Sequence, residues 1–177
     1  MVGFILMITY IVVDTGYLLE LFRVPRRFKE SDAEEIKRRF SIAKTQLNRL
    51  YIPIPVLFEL ANHIAHIEDS NVRLDLANKL SETVKQGIAT ENTFFNIIPC
   101  AAFTVTSELS NNLEVFVQQF AEYFVKQKLG LTDSAVLLEA QSLKNKNNCV
   151  HIWTTDAPLK RYEPDTEPNY FIGSRKK

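Results

Sequence analysis

Ile8-Thr9-Tyr10-Ile11-Val12-Val13-Asp14 is the stretch on which the fold turns. Its first six residues carry no charge, are mostly β-branched and run up to an acid without any polar-apolar alternation. A strand with one wet face alternates, whereas a strand apolar on both sides is the kind found at the centre of a sheet covered by helices. Helical propensity follows at once in Gly16 to Phe22.

Outward from this run, strand and helix patterns keep alternating. After the Val24-Pro25 break, Ser31 and Glu34 have capping-box spacing ahead of an apolar stripe of Ile36, Phe40, Ala43 and Leu47, which predicts a helix from Asp32 to about Leu50. Tyr51-Ile52-Pro53-Ile54 is a short apolar run before Pro55. A proline suits the first turn of a helix, where its missing N–H has no partner to lose, so a helix with Glu59 near its start is expected there. Val72, Leu76, Leu80, Val84 and Ile88 predict an amphipathic helix ending near Gly87, and Phe94 to Ile98 reads as another short strand. Leu113, Phe116, Val117, Phe120 and Phe124 form a helical stripe with Ser107 and Ser110 as caps. Thr132 is placed to cap a helix through Asp133, Val136, Leu137, Ala140 and Leu143, after which Cys149 to Trp153 resumes the strand pattern before Thr154-Thr155-Asp156. From Pro158 onward the chain reads as irregular and peripheral, which assigns 158–177 to a C-terminal segment outside the core. The whole of 1–177 is expected to form one α/β domain, a three-layer α/β/α sandwich with a mostly parallel central sheet.

Composition agrees and narrows the function. With 177 residues at 46% hydrophobic content, the chain is long enough to bury one real core. Its 21 basic and 21 acidic residues cancel, so no long-range positive field draws nucleic acid, and any RNA contact must come from a local patch. Cys100 and Cys149 form neither a CxxC pair nor a disulfide framework; both are expected as buried fillers in a reducing, cytoplasmic setting. The uncharged opening from Met1 to Val13 lacks a basic leader and ends at Asp14 instead of a small-residue cleavage site. It is also too short to span a bilayer, so no membrane partner is expected.

A parallel sheet of this kind binds ligands outside the carboxyl ends of its strands. Asp14 ends the first strand, Glu59 lies early in the helix after the second apolar run, Asp133 sits in a first helical turn, and Asp156 follows the last strand. Each acid has an ordinary explanation: Asp133 complements a helix dipole, and Asp156 suits a turn. Asp14 resists one, because an acid closing a buried strand puts charge beside the core unless a site or hydrogen bonds receive it.

Four segments, Tyr10-Ile-Val-Val-Asp-Thr15, Pro55-Val-Leu-Phe-Glu-Leu60, Leu131-Thr-Asp-Ser-Ala135 and Ile152-Trp-Thr-Thr-Asp156, together resemble the PIN-domain ribonucleases, the fold of VapC-type toxins in toxin-antitoxin pairs. The resemblance implies a PIN-like fold in which Asp14, Glu59, Asp133 and Asp156 bind Mg²⁺ or Mn²⁺ directly or through water, with Thr15 and Thr154 as supporting hydroxyls. It implies a metal-dependent endoribonuclease, a hydrolase that leaves a 3′-hydroxyl and a 5′-phosphate, and as partners an RNA substrate, an antitoxin protein and a second copy in a homodimer. The donor type suits these hard cations. Arg23, Arg26, Arg27 and Lys29 follow Asp14 closely and are read as contacts to the RNA backbone, against the plainer alternative of a solvated surface. Two features depart from the family pattern. Gly16 stands where many members carry Ser or Asn, and the stretch from about Ser70 to Ser110 is longer than in compact toxins.

Other readings fit less well. Asp14-Thr15-Gly16 imitates the aspartic-protease triplet, but that chemistry needs two such aspartates sharing a proton on a β-rich fold. A haloacid dehalogenase needs a second aspartate where Gly16 stands. His63 and His66 share a face of the Glu59 helix like a zinc pair, yet no cysteine or third histidine accompanies them, and they read as surface or core-edge residues. The alternative from a different class is a PIN domain that no longer cuts and serves as an RNA-binding or protein-interaction module.

Overall fold

The apolar run becomes β1 (Tyr10–Val13) and passes through Asp14 straight into α1 (Thr15–Phe22). The computed structural model describes residues 8–88, 94–98 and 109–174. Within them follow α2 (Glu30–Thr45), β2 (Arg49–Pro53), α3 (Ile54–Ala65), α4 (Ser70–Ile88), β3 (Phe95–Ile98), α5 (Leu109–Gln119), α6 (Leu131–Lys144), β4 (Val150–Trp153) and the single turn α7 (Ala157–Lys160). The four strands make one all-parallel sheet in the order β3-β2-β1-β4. This is the expected α/β architecture, a three-layer α/β/α sandwich.

Both faces of β1 are covered, which explains why its sequence does not alternate. Ile11 and Val13 stand in register with His151 and Trp153, and the Trp153 ring packs edge-on against Phe40 of α2 at 5.2 Å and against Tyr17 of α1 at 5.6 Å. Val12 points the other way, and α6 lies against β1, β2 and β4. Ile11, Val12 and Val13 are all essentially inaccessible. Each such side chain contributes about 1.5–3 kcal/mol of transfer free energy, so a charge at Val12 would disrupt the domain.

The strand order also places the site. The chain steps from β1 to β2 to β3 in one direction and then returns to lay β4 on the opposite side of β1. The crevice beyond the carboxyl ends of β1 and β4 is therefore a topological switch point.

Several local expectations are corrected. The second helix starts at Glu30 and stops at Thr45, because Leu47 adopts a left-handed conformation and the Asn48 N–H closes back on the Ala43 carbonyl. Leu50 belongs to β2, and Leu47 is exposed. No capping box forms there: Ser31 donates to Asp32, and Glu34 pairs with Arg23. Helix α6 is capped by Gly130, not Thr132, with the Asp133 carboxylate accepting the Gly130 N–H at 2.8 Å. The Phe116 stripe turns Phe116, Phe120 and Phe124 inward but leaves Val117 exposed, and beyond Gln119 the helix widens into a π turn at Phe120–Phe124. Ser110 lies inside α5, while Ser107 and Cys100 fall outside the described residues. Cys149 is only half-buried.

The C-terminal segment opens inside α7, is irregular only beyond Lys160, and is not peripheral, since Leu159 is fully buried. β4 is an edge strand, and acids from this segment satisfy its outward N–H groups: Asp165 accepts from Val150 at 2.8 Å and Glu163 from Ile152 at 3.2 Å. Covering an edge in this way blocks pairing with another chain. Further on, the Phe171 carbonyl accepts the Tyr17 hydroxyl at 2.5 Å, and Asp32 accepts the Ser174 N–H at 2.8 Å. Among the described residues, no helix is long and apolar enough to cross a membrane.

Candidate carboxylate site

Asp14 extends the β1–β4 ladder by one residue, its N–H donating to the Trp153 carbonyl at 2.9 Å. Its side chain is thereby held at the switch point. Oδ2 accepts the Thr154 hydroxyl at 2.7 Å, and the Thr154 oxygen in turn accepts the Asp156 N–H at 2.9 Å. The neighbouring Thr15 donates its hydroxyl to Glu59 Oε2 at 2.9 Å. Each of the two threonines read as supporting hydroxyls thus donates to one of the candidate acids. Helix α6 begins at the same edge of the sheet because a crossover helix runs antiparallel to the strands, and its Asp133 bears electrostatically on Asp14.

Asp14 is 5% exposed and, among the described residues, forms no ion pair. Its carboxyl is raised to about 7: burial pushes it up most, the Thr154 hydroxyl pulls it down, the charge of Asp133 raises it, and the Thr15 and Gly16 backbone lower it. The fold thus disfavours the negative charge on Asp14 unless a proton or a cation meets it.

The other three acids are half-buried and partly committed locally. Asp133 Oδ2 closes the first turn of α6, Asp156 Oδ1 caps α7 by accepting the Leu159 N–H at 3.1 Å, and Glu59 stands in the second turn of α3. Among the described residues, no three His, Cys, Asp or Glu side chains stand close enough to hold a metal ion as they are. The fold brings the acids to one edge without closing them into a single ligand set. Their chemistry fits Mg²⁺ or Mn²⁺ all the same: every donor is a hard oxygen, Asp14, the most buried of the four, has no ion pair among the described residues, and Mg²⁺ keeps several of its waters.

No family model matches the chain, and no curated protein is similar to it. Function at this edge must be read from its own atoms.

Two things there were not legible in the sequence. A Cβ built on Gly16 would lie 2.1 Å from Thr155 Oγ1 and 3.3 Å from the Thr155 nitrogen, so the Thr155 hydroxyl occupies the space that a side chain at position 16 would need. The departure at Gly16 was the only signal of it. The basic run, in turn, is not one patch. Arg23 is paired with Glu30 and Glu34, Arg26 forks onto Glu68 at 2.8 and 3.2 Å, and Lys29 donates to Ser174 at 3.0 Å. Arg27 makes no ion pair among the described residues and lines two clefts.

Proposed function

We propose that the protein is a metal-dependent ribonuclease of the PIN-domain type, hydrolysing RNA phosphodiester bonds at the edge where β1 and β4 end. The observation that carries this reading is Asp14: a buried acid at the switch point, steadied by Thr154, with another acid as its charged neighbour and no ion pair among the described residues. Such a group favours a cation. Asp14, Glu59, Asp133 and Asp156 would hold Mg²⁺ or Mn²⁺ directly or through water, and the bound ion would supply a more acidic water and positive charge for the transition state. The chain's own part is orientation. Thr154 and the Gly16 N–H fix Asp14 Oδ2, Thr15 fixes Glu59, and the first turn of α6 holds Asp133. In the cell, this reading casts the protein as a growth-inhibiting toxin restrained by an antitoxin protein, with a homodimer as its assembled form.

A second reading, a catalytically silent PIN domain that binds RNA or protein, is favoured by one observation: among the described residues, no three acids are close enough to form a ligand set as they stand. Cleavage of labelled single-stranded RNA separates the two. The nuclease reading expects activity with Mg²⁺ or Mn²⁺, none in EDTA, and a loss of about 100-fold or more in Asp14→Asn, larger than is usual for groups that only support a ligand. Cleavage that survives EDTA, or is intact in Asp14→Asn, overturns it; binding without cleavage gives the silent module.

A further inference from the structure

Beside the carboxylate edge, a cavity of about 410 Å³ opens between the α1–α2 connection and the end of α3. Val24 to Arg27 form one wall, and His63, His66 and Ile67 to Asp69 the other. Two of its charges cancel, because Arg26 is forked onto Glu68. A third is engaged at the start of α4, where Asp69 Oδ1 accepts the N–H groups of Asn71 and Val72 at 2.9 and 3.1 Å. That leaves Arg27, His63 and His66.

These three belong together. His66 Nδ1 lies 2.7 Å from the Asn62 carbonyl, which makes that nitrogen the donor and leaves Nε2 for another partner. His63 is half-buried, and burial, Arg27 and His66 all disfavour its proton, against the opposite pull of Glu59 one turn away. Arg27 also lines the cleft formed with Gly16, Glu20, Asp32, Thr155 and Gly173, so one residue borders both the cavity and the cleft next to Asp14. Arg27 has no ion pair among the described residues, and with the two imidazoles it sets nitrogen donors on both walls of a cavity whose Asp69 is turned to the start of α4.

We propose that this cavity is a phosphate-binding subsite that holds the RNA backbone beside the carboxylate edge, with Arg27 as the main contact and His63 and His66 as secondary ones. The identity of its ligand rests on the ribonuclease reading above. A planar guanidinium matches two phosphate oxygens at once, and a phosphate contact positions the strand without reading its sequence.

The test is fluorescence anisotropy of a labelled all-uridine RNA with the full chain in EDTA, between 50 and 200 mM salt. Arg27→Ala is expected to weaken binding about tenfold and to reduce the slope of log affinity against log salt by about 0.7, the value for one contact to a single strand. His63→Gln and His66→Gln should each weaken it about two- to threefold, and Lys37→Ala, on the outer face of α2, should leave it unchanged. Thermal melts confirm that each variant is folded. Wild-type affinity and slope in Arg27→Ala, or no RNA binding by the wild type, overturns the subsite. Metal-supplemented cleavage on the same preparations judges the other reading separately. RNA that binds through Arg27 but is never cut keeps the subsite and removes the nuclease, whereas cleavage with KM and kcat unchanged in Arg27→Ala removes the subsite alone.

Discussion

Asp14 and the Glu163–Glu167 pair are acids on opposite sides of β4, and they are neutralised in different ways. Glu163 and Glu167 surround Lys160, whose Nζ lies 2.6 and 2.7 Å from them and donates to the Ile152 carbonyl at 2.8 Å. Arg39 and the Trp153 indole add further donors to Glu167 at 3.2 and 2.9 Å. Asp14, more deeply buried than either glutamate, receives a hydroxyl and backbone N–H groups, and its charged neighbour is another acid. The glutamates are neutralised by a shared ammonium, whereas Asp14 is held by neutral donors alone, as is Asp32, which accepts the Ser174 N–H and the Ser31 hydroxyl. What sets Asp14 apart is its place at the switch point with Asp133 as its charged neighbour.

Breaking the structural side should cost the most. Lys160→Met leaves Glu163 and Glu167 enclosed without their shared ammonium, and the expected loss is about 3–5 kcal/mol in urea unfolding. A loss under about 1 kcal/mol would mean that the pair is solvated in practice and that the contrast with Asp14 is false.

Asp14→Asn should move stability in the opposite direction. Because the folded carboxyl titrates at about 7 instead of 3.8, the fold holds that proton more tightly than the unfolded chain does. Its contribution is fully present below the unfolded value and is lost as pH rises through about 7. In EDTA the wild type should therefore lose up to about 4 kcal/mol between roughly pH 4 and pH 8 from this group alone, and Asp14→Asn should be free of that slope and the more stable protein at pH 8. Denaturant melts across that range check the sign. Mn²⁺ should narrow or reverse the gap, since a ligand stabilises only the state that binds it.

The smallest effect sharpens the geometry of the same edge. Gly16→Ala drives a methyl into the Thr155 hydroxyl and should cost about 1–3 kcal/mol, with Thr155→Ala in the same chain recovering much of it. Additive losses in the double variant would show that the two residues do not meet.

Much of this was legible in advance where the physics is local. The acids stand beside strand ends and helix starts, and those follow from runs such as Tyr10–Val13 and from the proline ahead of α3. The end of α2 was misplaced because Leu47 continues the apolar stripe in sequence but turns left-handed in space. The C-terminal segment was misjudged because it has no periodicity; what holds it is a set of side-chain bonds to the open edge of β4.

By itself the sequence determined an α/β chain with central strands buried on both faces and acids at their ends, because burial on two faces and helical spacing are written into residue order. Only the tertiary structure decided that β4 returns beside β1, that Thr154 joins Asp14 to Asp156 and Thr155 fills the place of a side chain at 16, and that Arg27 shares a cavity with His63 and His66. Those contacts join residues far apart in the chain, and no local periodicity encodes which of them will meet.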